Sequence, residues 1–94
     1  MGKGYTYITA NKNKTVLYVG ATNDIKRRIL QHKTKTFKNS FTARYNCDIL
    51  VYFEEFDTSE KARSRERQLK NWHQKWKWNL IKESNPYLLT LKIN

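Results

Sequence analysis

Two short stretches rich in β-branched and aromatic residues, Tyr5–Thr9 and Val16–Val19, flank the polar segment Asn11-Lys12-Asn13-Lys14. Such residues fit a pleated, half-buried surface, and Asn favours turns. The pattern predicts an N-terminal β-hairpin with a loop of moderate length. A hairpin commits this part of the chain to a sheet, so the fold class turns on the elements after Val19.

Gly20 is expected to end the second strand. Asn23 is placed to cap a helix running to about Lys33, and Asp24 puts a negative charge in its first turn. Residues 33–48 are polar and basic, with Phe37, Phe41 and Tyr45 interspersed, and read as largely loop with room for a short helical turn. Ile49–Phe53 is apolar enough for a third strand that is central or covered on both faces. Asp57 and Glu60 resemble a capping box, opening a helix that runs to about Trp72. A last helix covers Gln74–Glu83 and is stopped by Pro86, and the tail Tyr87–Asn94 is apolar enough to pack on the body. The order β-β-α-β-α-α predicts an α+β fold, with a three-stranded, mostly antiparallel sheet flanked by helices. With 94 residues and no linker, repeat or low-complexity tract, residues 1–94 read as a single domain.

Charge gives the first functional constraint. Lys and Arg number 19 against 8 Asp and Glu, a net charge of +11. Polyphosphates are the commonest partners of such a surface, through neutralisation and counterion release. An anionic membrane is the rival partner, but it asks for a basic amphipathic helix with a clean apolar face. No apolar run is long enough to span a bilayer, and Met1-Gly2-Lys3-Gly4 is not the start of a signal peptide. With a single cysteine, Cys47, an internal disulfide is excluded and a cytoplasmic protein is expected.

The helices carry charge where apolar residues would be expected. Ile25 and Ile29 define the apolar stripe of the first helix, and Arg28 and His32, four apart, lie on one face directly beside it. In the next long helix Ala62 and Leu69 define the inner stripe, and Glu66 falls between them. A buried charge is costly unless paired or coordinated. The plain structural account is an Arg28–Glu66 salt bridge with His32 as a satisfied partner. The functional account is a phosphate-binding arginine beside a metal-binding glutamate. Tyr5 and Tyr7 share a face of the first strand, and Tyr18 lies on its hairpin partner. For any one of these tyrosines, packing in or on the sheet is the simpler role.

Taken in order, these residues resemble a known set. Tyr5-Thr6-Tyr7 followed by Tyr18-Val19-Gly20 is similar to the motif pair that names the GIY-YIG nuclease superfamily. In that family an arginine follows the second tyrosine by ten residues, here Arg28; many members carry a histidine one turn later, here His32. The segment Ala62–Lys70 resembles the family's helix around its glutamate, which makes Glu66 the counterpart. The resemblance spans Tyr5 to about Lys82 and is strongest to the small standalone bacterial members. Tyr5 stands where the motif's name has Gly, and Ala21 stands where some relatives carry a phosphate-contacting Lys.

The resemblance implies a metal-dependent endonuclease acting on nucleic acid, with DNA the expected substrate. Glu66 would hold one Mg²⁺ (or Mn²⁺), which prefers oxygen ligands and keeps several waters. Arg28 would grip the scissile phosphate with its planar fork. Tyr18 would act as general base on the attacking water with Tyr7 positioning it, although the residues alone leave the two roles exchangeable. A free tyrosine has a pKa of about 10, so the site must lower it or pass the proton on. His32 would serve as that relay or bond the phosphate. Gly20, without a Cβ, would let phosphate or the neighbouring helix approach the strand end.

Lys33, Lys35, Lys38 and Arg44 lie among three rings before the third strand, and basic residues with aromatic interleaving can track a backbone and stack unpaired bases. For Phe41 and Tyr45, inward packing is the preferred expectation. Lys70 with Lys75, Lys77 and Lys82 makes the C-terminal helices basic too. Trp72, Trp76 and Leu80 recur at spacing four and read as core, and His73 reads as surface. Cys47 reads as inert. A monomer is expected, since one active site addresses one phosphodiester. The alternative in a different class is a basic nucleic-acid-binding module on the same fold, catalytically weak or silent. A membrane-surface or ribosome-associated basic protein is the poorer third reading.

Overall fold

In the computed structural model, which describes residues 2–92, β1 (Gly4–Ala10) and β2 (Leu17–Thr22) form the expected hairpin. Asn11 shapes its loop: the side-chain carbonyl accepts from the backbone N–H of Thr15 at 2.8 Å and of Val16 at 3.0 Å. Lys14 completes the turn in the left-handed region at φ 57°. The third strand, β3 (Ile49–Phe56), pairs with the other edge of β1, giving the order β2-β1-β3 with both pairings antiparallel. Among the described residues four helices complete the α+β fold: α1 (Ile25–Thr34), α2 (Phe41–Arg44), α3 (Ser59–Lys70) and α4 (Gln74–Ser84).

Side chains alternate across β1, and the two faces are covered differently. Ile8 joins Val19, Val51, Leu69 and Ile81 in the cluster beneath α3 and α4. Tyr7 joins Ile25 and Leu50 in the cluster beneath α1. The start of α3 lies directly on β1. Thr6 Oγ1 donates to the Ala62 carbonyl at 2.6 Å, and a Cβ on Gly4 would meet Ser59 Cα and the Thr58 carbonyl oxygen, both at 2.7 Å. Further along, Arg65 grips Glu54 of β3 through Nε at 2.9 Å and Nη2 at 3.1 Å, and Tyr52 donates to the same carboxylate. A bidentate pair of this kind fixes the rotation of α3, and with it the direction of the adjacent Glu66.

Several local expectations need correction. Both long strands outrun their predicted ends, because Gly20, Ala21 and Thr22 still pair with Tyr7, Thr6 and Tyr5, and Glu54–Phe56 pair with Thr6–Gly4. The helix caps fall one residue later than predicted. Asp24, not Asn23, accepts from Arg27 N at 3.1 Å, and Thr58, not Asp57, accepts from Lys61 N at 3.2 Å. Each has the extended backbone that an N-cap needs. Asp57 instead pairs with the Lys61 ammonium at 3.0 Å.

Trp72 and Leu80 pack against the core, but Trp76 is 53% exposed. The reason is that Trp76 lies in the first turn of α4, five residues before buried Ile81 and so roughly 140° round the helix from it, where its ring meets Trp72 and His73. Phe41 and Tyr45 do not pack inward either; they are 45% and 48% exposed, because α2 is one turn long and buries only Thr42. The tail is tied to β3 by Leu91 N donating to the Leu50 carbonyl at 2.8 Å, while Tyr87 and Leu89 remain exposed. The tail's last residues, Ile93 and Asn94, lie outside the described residues.

Candidate active site

The α1 face of β1 presents Tyr7, which is fully buried. Its hydroxyl lies 2.9 Å from Nε2 of His32, which α1 brings down beside Ile25 and Ile29. The other ring nitrogen of His32 lies 2.9 Å from Thr42 Oγ1, and that hydroxyl lies 3.2 Å from Ser40 Oγ. A chain of hydrogen bonds therefore runs from the Tyr7 phenol through His32 and Thr42 to half-buried Ser40. Tyr18, on β2, stacks its ring on Phe41 with 5.8 Å between centroids and meets the rings of Tyr7 and His32 at 6.3 Å and 5.9 Å.

Arg28 is common to three adjoining cavities. One is lined by Tyr18, His32 and the α2 segment, one by Asn23, Gln31 and Phe37, and one by Ala21, Ser59 and Arg63. It forms no ion pair with Glu66, and no carboxylate lies within ion-pair distance of it among the described residues. The Arg28–Glu66 salt bridge allowed by the helical wheels is therefore absent. Glu66 pairs with Lys70 instead, at 3.0 Å, and the Lys70 ammonium lies 5.7 Å over the Tyr18 ring. Through that ammonium Glu66 adjoins the Tyr18 ring.

These surroundings set the protonation states. Burial is the main influence pushing the Tyr7 phenol above its ordinary value of 10, with Tyr18 and Glu66 adding to it and the Arg28 guanidinium working against it. Tyr7 is thus a protonated hydrogen-bonding group. Burial, and then the positive charge of Arg28, depress His32 to about 4, with Asp48 opposing. His32 is therefore neutral at neutral pH, one ring nitrogen donating and the other accepting. This shift ties stability to pH. The unfolded chain takes up the His32 proton near pH 6.5 and the folded chain only near 4, so in between the unfolded state binds more protons. Stability should fall as pH drops through that window, by on the order of 2–3 kcal/mol. Denaturant midpoints measured from pH 7.5 to 4 should show this drop in the wild type and a weaker one in His32→Gln. Parallel profiles would refute it.

Gly20 has a different neighbour from the one expected. A Cβ there would meet the Tyr7 hydroxyl at 2.5 Å and its Cζ at 2.6 Å, so the missing side chain makes room for the phenol. Lys35, Lys38 and Arg44 are exposed and do not line the three cavities, and Lys33 lines a separate groove with Lys26, Leu30 and Leu91. Lys70 is exposed and also pairs with Glu66 one turn back on α3. His73 is exposed. Cys47 is fully buried, and burial pushes its thiol up to about 11, so it carries little thiolate.

The residue pattern did not single out Thr42, Ser40 or Arg63. Ser40 carried a signal, as an N-cap before Phe41. Arg63 carried one too, sitting three residues before Glu66 on the same helix face. Thr42 has no periodicity that ties it to His32; only the path of the connecting loop brings them together. Among the described residues no cluster of three His, Cys, Asp or Glu side chains is poised to hold a metal. Glu66 is the carboxylate in this group.

A family model described as the GIY-YIG catalytic domain matches residues 3–79. A UPF0213 protein of Staphylococcus saprophyticus is 36% identical over 83 residues, covering 88% of this chain and 99% of that one. A UPF0213 protein of Syntrophus aciditrophicus is 32% identical over 84 residues, covering 89% and 95%. The solution NMR structure of a UPF0213 protein from Bacillus halodurans is similar over 98% of this chain and 97% of its own, with a TM-score of 0.58 and 28% identity. The chain belongs to the GIY-YIG catalytic domain family.

Proposed function

We propose that this chain is a metal-dependent endonuclease that hydrolyses phosphodiester bonds in nucleic acid, with DNA as its substrate, acting as a cytoplasmic monomer. The observation that carries the reading is the opening shared by Tyr18, Arg28 and His32, backed by buried Tyr7, which His32 holds by a hydrogen bond. It joins a phosphate-gripping cation, a phenol at the opening and a second phenol fixed behind it. No helix among the described residues is long and apolar enough to cross a membrane.

The donor set suits one Mg²⁺ or Mn²⁺. Such an ion binds through one or two carboxylates, keeps several waters and takes further ligands from substrate phosphate, and Glu66 supplies one carboxylate. Bound there, the ion would neutralise charge on the phosphoryl and leaving oxygens. Arg28 would hold the scissile phosphate with two N–H groups. Tyr18 lines the opening whereas Tyr7 is buried and protonated, so Tyr18 would be the base: its phenolate, its own proton first given up to solvent at the opening, would take the proton from the attacking water. Tyr7 would orient that water. Both nitrogens of His32 are engaged by Tyr7 and Thr42, which favours a positioning and proton-passing role over direct phosphate binding.

One observation favours the second reading, a silent binding module: the Glu66 carboxylate already has a cationic partner in Lys70. Cleavage of labelled single-stranded, duplex and branched DNA, with and without Mg²⁺ or Mn²⁺, decides between them. Metal-dependent products support the nuclease. Binding to every substrate without products under any metal condition rejects it.

The rings beside the opening bear on the substrate. Phe37 is 59% exposed and lines two of the three cavities that share Arg28. A base stacked on such a ring contributes about 1–3 kcal/mol. Phe37→Ala should weaken binding to single-stranded oligonucleotides roughly tenfold, and to continuous duplex much less. Equal losses on both, read by fluorescence anisotropy, would count against stacking of unpaired bases.

A further inference from the structure

We propose that the polar cavity between Arg28 and Arg63 is a second anion subsite, one that holds a neighbouring phosphate of the strand whose scissile phosphate lies at Arg28. The proposal rests on the nuclease reading for its strand geometry, but the subsite itself stands on separate observations.

The cavity, about 290 Å³, is lined by the end of β2, Asn23, Arg28 of α1, and Ser59 and Arg63 of α3. None of its lining residues is acidic. Charge pairing along α3 leaves two arginines, Arg63 and Arg67, without a carboxylate partner among the described residues, and of the two Arg63 lines the cavity. Lys61 pairs with Asp57, Arg65 with Glu54 and Lys70 with Glu66. Among the described residues the one side-chain hydrogen bond of Arg63 is a long one, Nη2 donating to Ser59 Oγ at 3.4 Å. Arg28 lacks a carboxylate partner as well. Two unpaired guanidiniums on one cavity wall repel each other, and an anion between them turns that repulsion into two sets of charge-assisted hydrogen bonds.

Placement supports a strand phosphate over an unrelated anion. Arg63 precedes Glu66 by three residues and Lys70 by seven, so all three share one face of α3. Arg28 borders both this cavity and the opening with Tyr18 and His32. A strand with one phosphate at that opening would carry its next phosphate towards the cavity that shares Arg28, where the Asn23 amide, the Ser59 hydroxyl and Arg63 are the donors that would meet it.

The test has two arms. Inorganic pyrophosphate is titrated into metal-free protein, and the arginine Nε–H resonances are followed by NMR. Arg28 and Arg63 should shift together and saturably, and Arg63→Ala should weaken the fitted affinity about tenfold. Second, binding of a labelled single-stranded oligonucleotide is measured across salt concentrations without metal. Arg63→Ala should reduce the salt slope by about 0.7, the value for one phosphate contact. Arg63→Lys, which keeps the charge, should retain the slope. Non-saturable shifts, or an Arg63→Ala slope equal to wild type, overturn the subsite. Neither arm uses cleavage, so a protein that binds pyrophosphate but never cuts would leave the subsite standing and remove the nuclease reading.

Discussion

Glu66→Gln should reduce metal-dependent cleavage by on the order of a thousandfold or more, the several kcal/mol that a bound metal contributes to the transition state. The substitution keeps the side chain's volume and removes its charge. The folded state should barely notice. Glu66 pairs with a Lys70 that is half exposed, and such pairs contribute at most about 1 kcal/mol. Nucleic-acid binding should be unchanged or slightly tighter, because a negative charge leaves a surface of net charge +11. A residue that is only a structural mate would give the reverse: lower melting temperature with activity falling in proportion.

Lys70→Met sharpens the test. In the protein as folded, the Lys70 ammonium is the cation that Glu66 holds, so Lys70 and a metal compete for one carboxylate. Removing it should tighten Mn²⁺ binding measured by calorimetry, with no change in fold. If Lys70→Met leaves metal affinity untouched and Glu66→Gln cuts as well as wild type, Glu66 is not the ligand.

How far the sequence reaches is clear from individual residues. Strand and helix order came from short-range patterns: β-branched runs, an Asn-rich turn, and stripes at helical spacing. Arg28 and His32 were recoverable for the same reason, since four-residue spacing along one helix fixes a shared face. Glu66 was recoverable because it interrupts an apolar stripe. What escaped depends on where loops and neighbouring elements bring side chains together. Thr42 reaches His32 only through the path of residues 35–41. The pairing of Lys70 with Glu66 escapes the pattern because the wheel alone offers Glu66 the competing choice of Arg28. The rings of Phe41 and Tyr45 were expected inside because aromatic residues usually find cover. Here a helix of one turn buries Thr42 and leaves both rings at the surface. Gly20 was read as making way for an outside group, whereas the register pairs it with Tyr7, so the space serves the protein's own phenol.

That tight fit leads to Gly20→Ala, which should damage both stability and catalysis. The added methyl would sit 2.5 Å from the Tyr7 hydroxyl, 2.6 Å from its Cζ and 2.9 Å from Tyr18 Cε2. None of these is the free end of a flexible chain. Tyr7 is fully buried and bonded to His32, and Tyr18 is stacked on Phe41. Alanine restricts the unfolded chain, which alone would stabilise by about 0.4–1 kcal/mol. Overpacking of this kind costs roughly 1–3 kcal/mol, so the net sign is destabilising. The catalytic loss should be larger, because both phenols must shift, and a displacement of about 1 Å in a catalytic group can cost on the order of a hundredfold in rate. Tyr7→Phe in the Gly20→Ala background separates the two effects. It removes the hydroxyl but not the ring carbon at 2.6 Å, so it should recover part of the melting temperature and none of the activity. Wild-type melting and wild-type turnover in Gly20→Ala would mean that the tyrosines can move aside freely, and that the tight fit at the strand pair is not what holds them for the reaction.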